Sequence, residues 1–163
     1  MKWNTKSITS LDFMFDGAKK FNHSLNGWDV SNVKSMRCTF RRARKFNHNI
    51  HEWDVSKVMN MEKMFFRASR FNKPLNDWDV SNVTNTKSMF KGAMRFDQPL
   101  ESWDVSNVTT MKSMFYRAAN FDQSLAKWNV DSTAKIDSIF FKTMISKKNI
   151  KATFESWKAN NDG

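Results

Sequence analysis

The sequence contains one cysteine, four glycines and no long apolar run. The single cysteine, Cys38, excludes an internal disulfide. Four glycines form no glycine-rich phosphate-binding loop, and no nucleophile and base stand at a known catalytic spacing. No apolar run approaches the roughly 20 residues that span a bilayer. We therefore expect no enzyme activity, no cofactor and no membrane span.

Acidic residues are also scarce relative to basic ones. Lys and Arg total 27 against 16 Asp and Glu, which gives a net charge of +11. Such an excess favours an acidic partner or surface through long-range attraction. No charged segment followed by an apolar stretch and a cleavage site opens the chain, so no signal peptide is predicted. This favours an intracellular protein, or a cell-surface protein if the chain is a fragment of an exported one.

A 25-residue repeat fills most of the chain. Identical residues recur at intervals of 25, and we call each such set a column. One column of phenylalanines starts at Phe15, and one of alanines starts at Ala18. A fixed period of this length is typical of stacked repeat architectures. About six units are defined by their first residues, which are Trp3, Trp28, Trp53, Trp78, Trp103 and Trp128.

The middle of each unit has the apolar period of an α-helix. Ser106 precedes this segment in the fifth unit and is a candidate N-cap. The apolar residues of this unit lie at i, i+3, i+6, i+7 and i+10, and they are Val108, Met111, Met114, Phe115 and Ala118. The pattern predicts a helix of about three turns in each unit.

The start of each unit predicts a short strand. Leu100, Trp103 and Val105 follow the L-x-x-L-x-L pattern of leucine-rich repeats. Parallel strands of adjacent units would form a ladder at roughly 4.7–4.9 Å. A column of loop side chains is expected to bond the backbone of neighbouring units, and it consists of Asn22, Asn47, Asn72, Asp97 and Asp122.

These patterns predict an α/β fold. It is a right-handed solenoid, similar to leucine-rich repeats, of about six 25-residue strand-helix coils, with a short parallel ladder on one side and helices on the other. The solenoid is assigned to residues 1–152. Residues 153–163 leave the period and form a C-terminal cap or tail, in which Phe154 and Trp157 are expected to cover the last coil.

The repeat also resembles a known family. The motif W-D-V-S-N-V-x-x-M-x-x-M-F-x-x-A-x-x-F-N/D-x-x-L at residues 53–75, 78–100 and 103–125 is similar to the 25-residue repeat of BspA-like leucine-rich-repeat surface proteins, the mycoplasma-type lipoprotein repeats. The resemblance implies a leucine-rich-repeat solenoid that acts in adhesion or protein binding, without enzyme activity. Similar repeats occur in large DNA viruses, so a virion-associated protein is also compatible with it.

Few residues suggest site chemistry. Cys38 stands in a column that carries Lys63 and Ser88 in other units, so the thiol is not a repeated feature of the units. His23 and His48 share a loop column and could bind a metal weakly. Solvated loop histidines are the favoured interpretation, and no metal or catalytic residue is predicted.

One acidic residue per unit marks a secondary candidate face. The carboxylates could accept backbone hydrogen bonds at a turn, as Asx side chains do. Alternatively, they could form an acidic face that receives a basic partner or a cation. The residues are Asp29, Asp54, Asp79 and Asp104.

Basic residues recur at equivalent positions of several units. They form the main candidate site, which we call the basic stripe. Cations at helix C-termini could compensate the helix dipole, but the second unit carries more of them than one helix needs. We expect a non-enzymatic scaffold that docks an acidic protein here. The alternatives are adhesion through the strand face, or binding of nucleic acid or another polyanion, for which Phe66 and Tyr116 are the available stacking aromatics. The stripe consists of Arg41, Arg42, Arg44, Lys45, Arg67, Arg70, Lys91, Arg95 and Arg117.

Overall fold

The computed structural model describes residues 3–162, and within them the predicted α/β leucine-rich-repeat solenoid is wrong. This part of the chain contains one α-helix, α1, at Lys147–Asn161, and no sheet. Pairing of strand type is limited to isolated single-residue parallel bridges. These bridges join Ser10 to Ser35, Ser35 to Asn60, Asn60 to Asn85, Asn85 to Thr110, and Thr110 to Lys135.

The segments predicted as helices are runs of turns. In the fifth unit, Ser113 and Arg117 have φ values of 56° and 58°, far from the roughly −63° of an α-helix. The amide of Met114 donates to the Met111 carbonyl three residues earlier, not four. Such bonds, with positive φ at the third residue, are typical of type II turns. The turn segments are residues 12–17, 37–42, 62–67, 87–92, 112–117 and 137–142.

Alternate amides of the first five turn segments bond to the next unit, which explains why no helix forms there. The N–H groups of Ser113, Phe115 and Arg117 donate to carbonyls 24 residues later, at 2.8, 3.0 and 2.9 Å. A helix would direct these donors to the carbonyl four residues earlier within the same segment. The backbone is therefore satisfied between units, and a unit alone would leave these donors unpaired.

The predicted strands are also absent. The segment that contains Leu100, Trp103 and Val105 forms no ladder, and its internal bond runs from the Trp103 amide to the Leu100 carbonyl. The bridge of this unit lies further along, at Thr110. Ser106 does not cap a helix, because its hydroxyl donates to the Asp104 carboxylate at 2.7 Å. Consequently the terms solenoid and leucine-rich repeat do not describe this backbone.

The apolar columns fill the interior, as their periodicity predicts. Phe65, Phe90 and Phe115 are fully buried, and their ring centroids are 5.5–5.6 Å apart in successive units. Phe90 also stacks on Phe96 at 4.0 Å within its unit. Burial fades at the first unit, where Trp3 is 72% exposed. The core is thus one continuous column of rings that is open at its first end.

Polar ladders fix the loops and the tryptophans. The predicted side-chain ladder of the asparagine column is confirmed, since each side-chain oxygen accepts from the amide one unit later, from Asn22 to Asn47 through to Asp122 and Ser146. The indole N–H of Trp103 donates to the Leu75 carbonyl at 2.8 Å. The side-chain ladder joins each unit to its neighbour, and indole bonds of the same kind begin at Trp78, since the Trp53 indole N–H has no partner within residues 3–162.

Helix α1 lies over the last unit. Ser146 caps it by accepting from the Asn149 amide. Trp157 stacks on Trp128 at 6.3 Å and donates its indole N–H to the Leu125 carbonyl at 2.9 Å. Phe154 meets Phe140 edge-on. The tryptophan column therefore continues into α1, although Trp157 is out of the 25-residue period.

Candidate functional site

The basic stripe lies on the turn segments and the residues that follow them. Hydrogen bonds between units place Arg42, Arg67, Gly92 and Arg117 in one column, since each amide donates to the unit that follows. Lys91 is half-buried, and the stripe residues exposed to solvent are Arg42, Arg44, Lys45, Arg67, Arg70, Arg95 and Arg117. The placement of the stripe on helices is wrong, because the segments that carry it are turns.

Arg41 differs from the rest of the stripe because it is paired. Its guanidinium forms a two-bond ion pair with Asp16, with Nε donating at 2.8 Å. The Arg41 hydrogen bond holds the pKa of Asp16 below its ordinary value, and Asp16 raises the pKa of Arg41. Asp16 stands 25 residues before Arg41, so the repeat step itself indicates this pairing. Arg41 is therefore a structural cation.

The other cations of the stripe are not neutralised by neighbours. None of the ion pairs formed within residues 3–162 includes Arg42, Arg44, Lys45, Arg67, Arg70, Lys91, Arg95 or Arg117. Compensation of a helix dipole no longer explains them, because the turn segments are not helical. The buried rings of successive units are 5.5 Å apart, so like-charged side chains of one column lie on adjacent units and repel one another.

Aromatic side chains lie among these cations and contact them. Arg67 lies over the ring of Phe66 at 5.3 Å. Tyr116 has Lys91 at 4.3 Å from its ring centroid, and it stacks on Phe141 at 5.3 Å. The rings hold the cations in place through cation–π contacts. A cation lies over each of the two rings, and Tyr116 also stacks on Phe141.

The sequence interpretation missed two members of this surface. Lys142 stands 25 residues after Arg117, in the same column, and is exposed. Phe141 is 52% exposed and stacks beside Tyr116. Both residues could have been found from the repeat, since they stand 25 residues after Arg117 and Tyr116. The basic surface therefore extends one unit beyond the predicted stripe.

The secondary candidate face has a structural function. Asp29, Asp54, Asp79 and Asp104 each accept from the amide and the hydroxyl of the serine two residues later, at about 3.0 and 2.6–2.7 Å. The serine hydroxyl is the main cause that lowers the pKa of Asp29, Asp54 and Asp104 below 3.8. The hydrogen-bonding interpretation of this column is confirmed, whereas the binding of a basic partner or a cation stays untested.

The remaining candidates are built into the fold. Cys38 is buried at a φ of 57°, and burial raises the pKa of its thiol. One ring nitrogen of His48 lies 3.0 Å from the Asn22 carbonyl. Residues 3–162 bring together no group of three or more His, Cys, Asp or Glu side chains suited to a metal. No helix in this part of the chain has the length and apolar character needed to cross a membrane.

Comparison with known proteins identifies the family. The chain matches the family described as "Mycoplasma protein of unknown function, DUF285" over residues 1–91 and again over residues 47–157. These matches cover more than half of the chain, which therefore belongs to this family. Searches of curated proteins and of solved structures gave no match. The description of the family assigns no function, so the function must be argued from the surface.

Proposed function

We propose that the chain is a non-enzymatic interaction module that docks an acidic protein partner on the basic stripe. The observation that carries this proposal is the presence, in consecutive units, of exposed cations that form no ion pairs within residues 3–162. An acidic partner would relieve their mutual repulsion and supply carboxylates for the arginine forks. Such complementarity speeds association and selects the partner.

A protein partner is favoured over nucleic acid because the aromatic rings of this surface already make contacts with other side chains. Proteins that bind single strands stack bases on open aromatic faces within a basic groove. Lys91 and Phe141 already contact the ring of Tyr116, and Arg67 lies over the ring of Phe66. Base stacking would have to displace these contacts, whereas an acidic side chain needs only the cations.

We also propose that the repeat is of the BspA-like type, on the basis of its 25-residue motif and without a leucine-rich-repeat backbone. Proteins with this motif are associated with adhesion and protein binding, which agrees with an interaction module. Membership of the mycoplasma family is compatible with this closer relationship.

A pair of charge reversals tests the proposed function. Arg67→Glu with Arg70→Glu should weaken the binding of poly-glutamate by about tenfold, mainly through slower association. Fluorescence anisotropy at low and moderate salt measures this. The melting midpoint should change little, since exposed charges contribute little to stability.

The matched control reverses Lys6 and Lys158, which are exposed and lie off the stripe. Both variants lower the net charge of +11 by the same amount. If the control weakens binding as much as the stripe variant, only net charge matters and the stripe is not a site. If neither variant weakens binding, the partner does not dock on the stripe.

A further inference from the structure

One gap interrupts the arginine column of the basic stripe. Arg67 and Arg117 stand one unit before and one unit after Gly92, as the bonds from the Arg67 amide to Lys91 and from the Gly92 amide to Tyr116 define. Gly92 contributes no side chain, and both arginines line a hollow of about 360 Å³ at this point. A Cβ atom placed on Gly92 would lie 3.1 Å from Cγ of Arg67. Any side chain at position 92 would therefore enter the space that borders the hollow.

The lining of this hollow is rich in cations and hydroxyl groups. Arg44, Arg67, Lys91 and Arg117 line it together with Tyr116 and the hydroxyl-bearing Ser69. No carboxylate occurs among its lining residues in the described chain, and the ion pairs of residues 3–162 include none of these four cations. Lys91 is held over the Tyr116 ring at 4.3 Å. The hollow is thus lined by four cationic side chains that form no ion pair within residues 3–162.

We propose that the hollow at Gly92 binds a phosphate group carried by a side chain of the acidic protein partner. This inference rests on the proposed function and names the group that the stripe recognises. A phosphorylated side chain carries about −1.5 to −2 charges at neutral pH and three acceptor oxygens. It therefore offsets more of the four charges than a carboxylate does. Arginines on both sides can each present two parallel N–H donors to its oxygens.

Tyr116 provides a specific reporter for this site because it is the only tyrosine of the chain. Protein labelled with ¹³C at tyrosine would be titrated with a short acidic peptide that contains one phosphoserine, and with the same peptide containing serine. We expect the Tyr116 signals to saturate at about tenfold lower concentration of the phosphoserine peptide, because the phosphate adds charge-assisted hydrogen bonds.

Two glycine variants separate a site from general attraction. Gly92→Arg places in the gap the residue found at three other positions of the column, adds one positive charge and fills the hollow. Gly17→Arg makes the same change in the same column, where φ is +70° and no atom lies within 4 Å of the added Cβ. We expect Gly92→Arg to lose the preference for phosphoserine and Gly17→Arg to keep it. Melting curves check that both variants fold.

The outcomes separate this inference from the proposed function. Equal binding of the two peptides to the wild type, or an unchanged preference in Gly92→Arg, would overturn the phosphate site. Binding of both peptides that is insensitive to Arg67→Glu with Arg70→Glu would instead overturn the proposed function. Tighter saturation of the Tyr116 signals by a single-stranded oligonucleotide than by the phosphoserine peptide would show that the hollow serves a different class of partner.

Discussion

At the scale of the residue, the backbone at positive φ is the distinctive feature of this chain. Ten residues other than glycine adopt it within residues 3–162, among them Cys38, Ser113 and Arg117. For an L-residue this conformation costs roughly 1–2 kcal/mol. The cost is offset because the turns direct amides such as those of Ser113 and Arg117 to carbonyls of the next unit.

Substitution of Arg117 tests this conformation. Arg117→Gly should be more stable than Arg117→Ala by about 1 kcal/mol, because glycine reaches positive φ without a steric penalty. Both variants remove the guanidinium and its contact with Tyr116, so their difference isolates the backbone. Urea unfolding gives the two free energies. A more stable alanine variant would indicate a helical backbone, in which glycine is the worse residue by about 1 kcal/mol.

The aspartate column makes a second prediction at this scale. Asp79→Asn should be nearly neutral, because an amide oxygen can still accept from the amide and hydroxyl of Ser81. Asp79→Ala removes both bonds and should cost about 1 kcal/mol. Denaturant midpoints of the two variants measure the difference. A gain of stability in the asparagine variant together with a loss of partner binding would favour an acidic binding face instead.

At the scale of the element, the turn segment shows how far the sequence could be interpreted. The burial of Met111, Met114 and Phe115 follows from their spacing and is confirmed. Their backbone could not be derived from that spacing, because successive four-residue turns and an α-helix both return a side chain to one face after three or four residues. Apolar periodicity reports the buried face and not the hydrogen-bond partner.

A signal for the turns was nevertheless present in the sequence. Gly17 and Gly92 occupy the same position of their units, near the C-terminal end of two of the predicted helices. Glycine recurring at one position is typical of positive φ, and both residues adopt it. The basic stripe could be predicted because the columns keep their step. The hollow at Gly92 could not, because its lining by Arg44, Lys91 and Tyr116 depends on how the turns direct these side chains.

Helix α1 covers the column of rings at the last unit, opposite the end that stays open. Trp157→Ala should destabilise the protein by about 3–5 kcal/mol, because it removes a buried indole from Trp128 and Phe140. Phe154→Ala is the matched control within α1, and it should cost clearly less because Phe154 is 40% exposed. Denaturant unfolding compares the two. Similar losses would mean that α1 contributes only general packing.

At the scale of the whole molecule, repetition determines both stability and surface. A unit alone leaves amides without hydrogen-bond acceptors and apolar rings exposed. Its neighbour supplies the acceptors and buries the rings, so the units stabilise one another. The same stacking brings one residue of each unit into line on the outside. It therefore places cations in successive units beside one another without counter-ions, and this arrangement supports docking of an acidic partner.

The central claim is that the turn segments bond between units and not within a helix. Scalar couplings transmitted through hydrogen bonds in NMR spectra identify each acceptor directly. The structure predicts a coupling between the amide nitrogen of Phe90 and the carbonyl carbon of Met114, since this N–H donates to that oxygen at 2.9 Å. A coupling from Phe90 to the carbonyl of Thr86, four residues earlier, is the bond of an α-helix, and its detection would contradict the account.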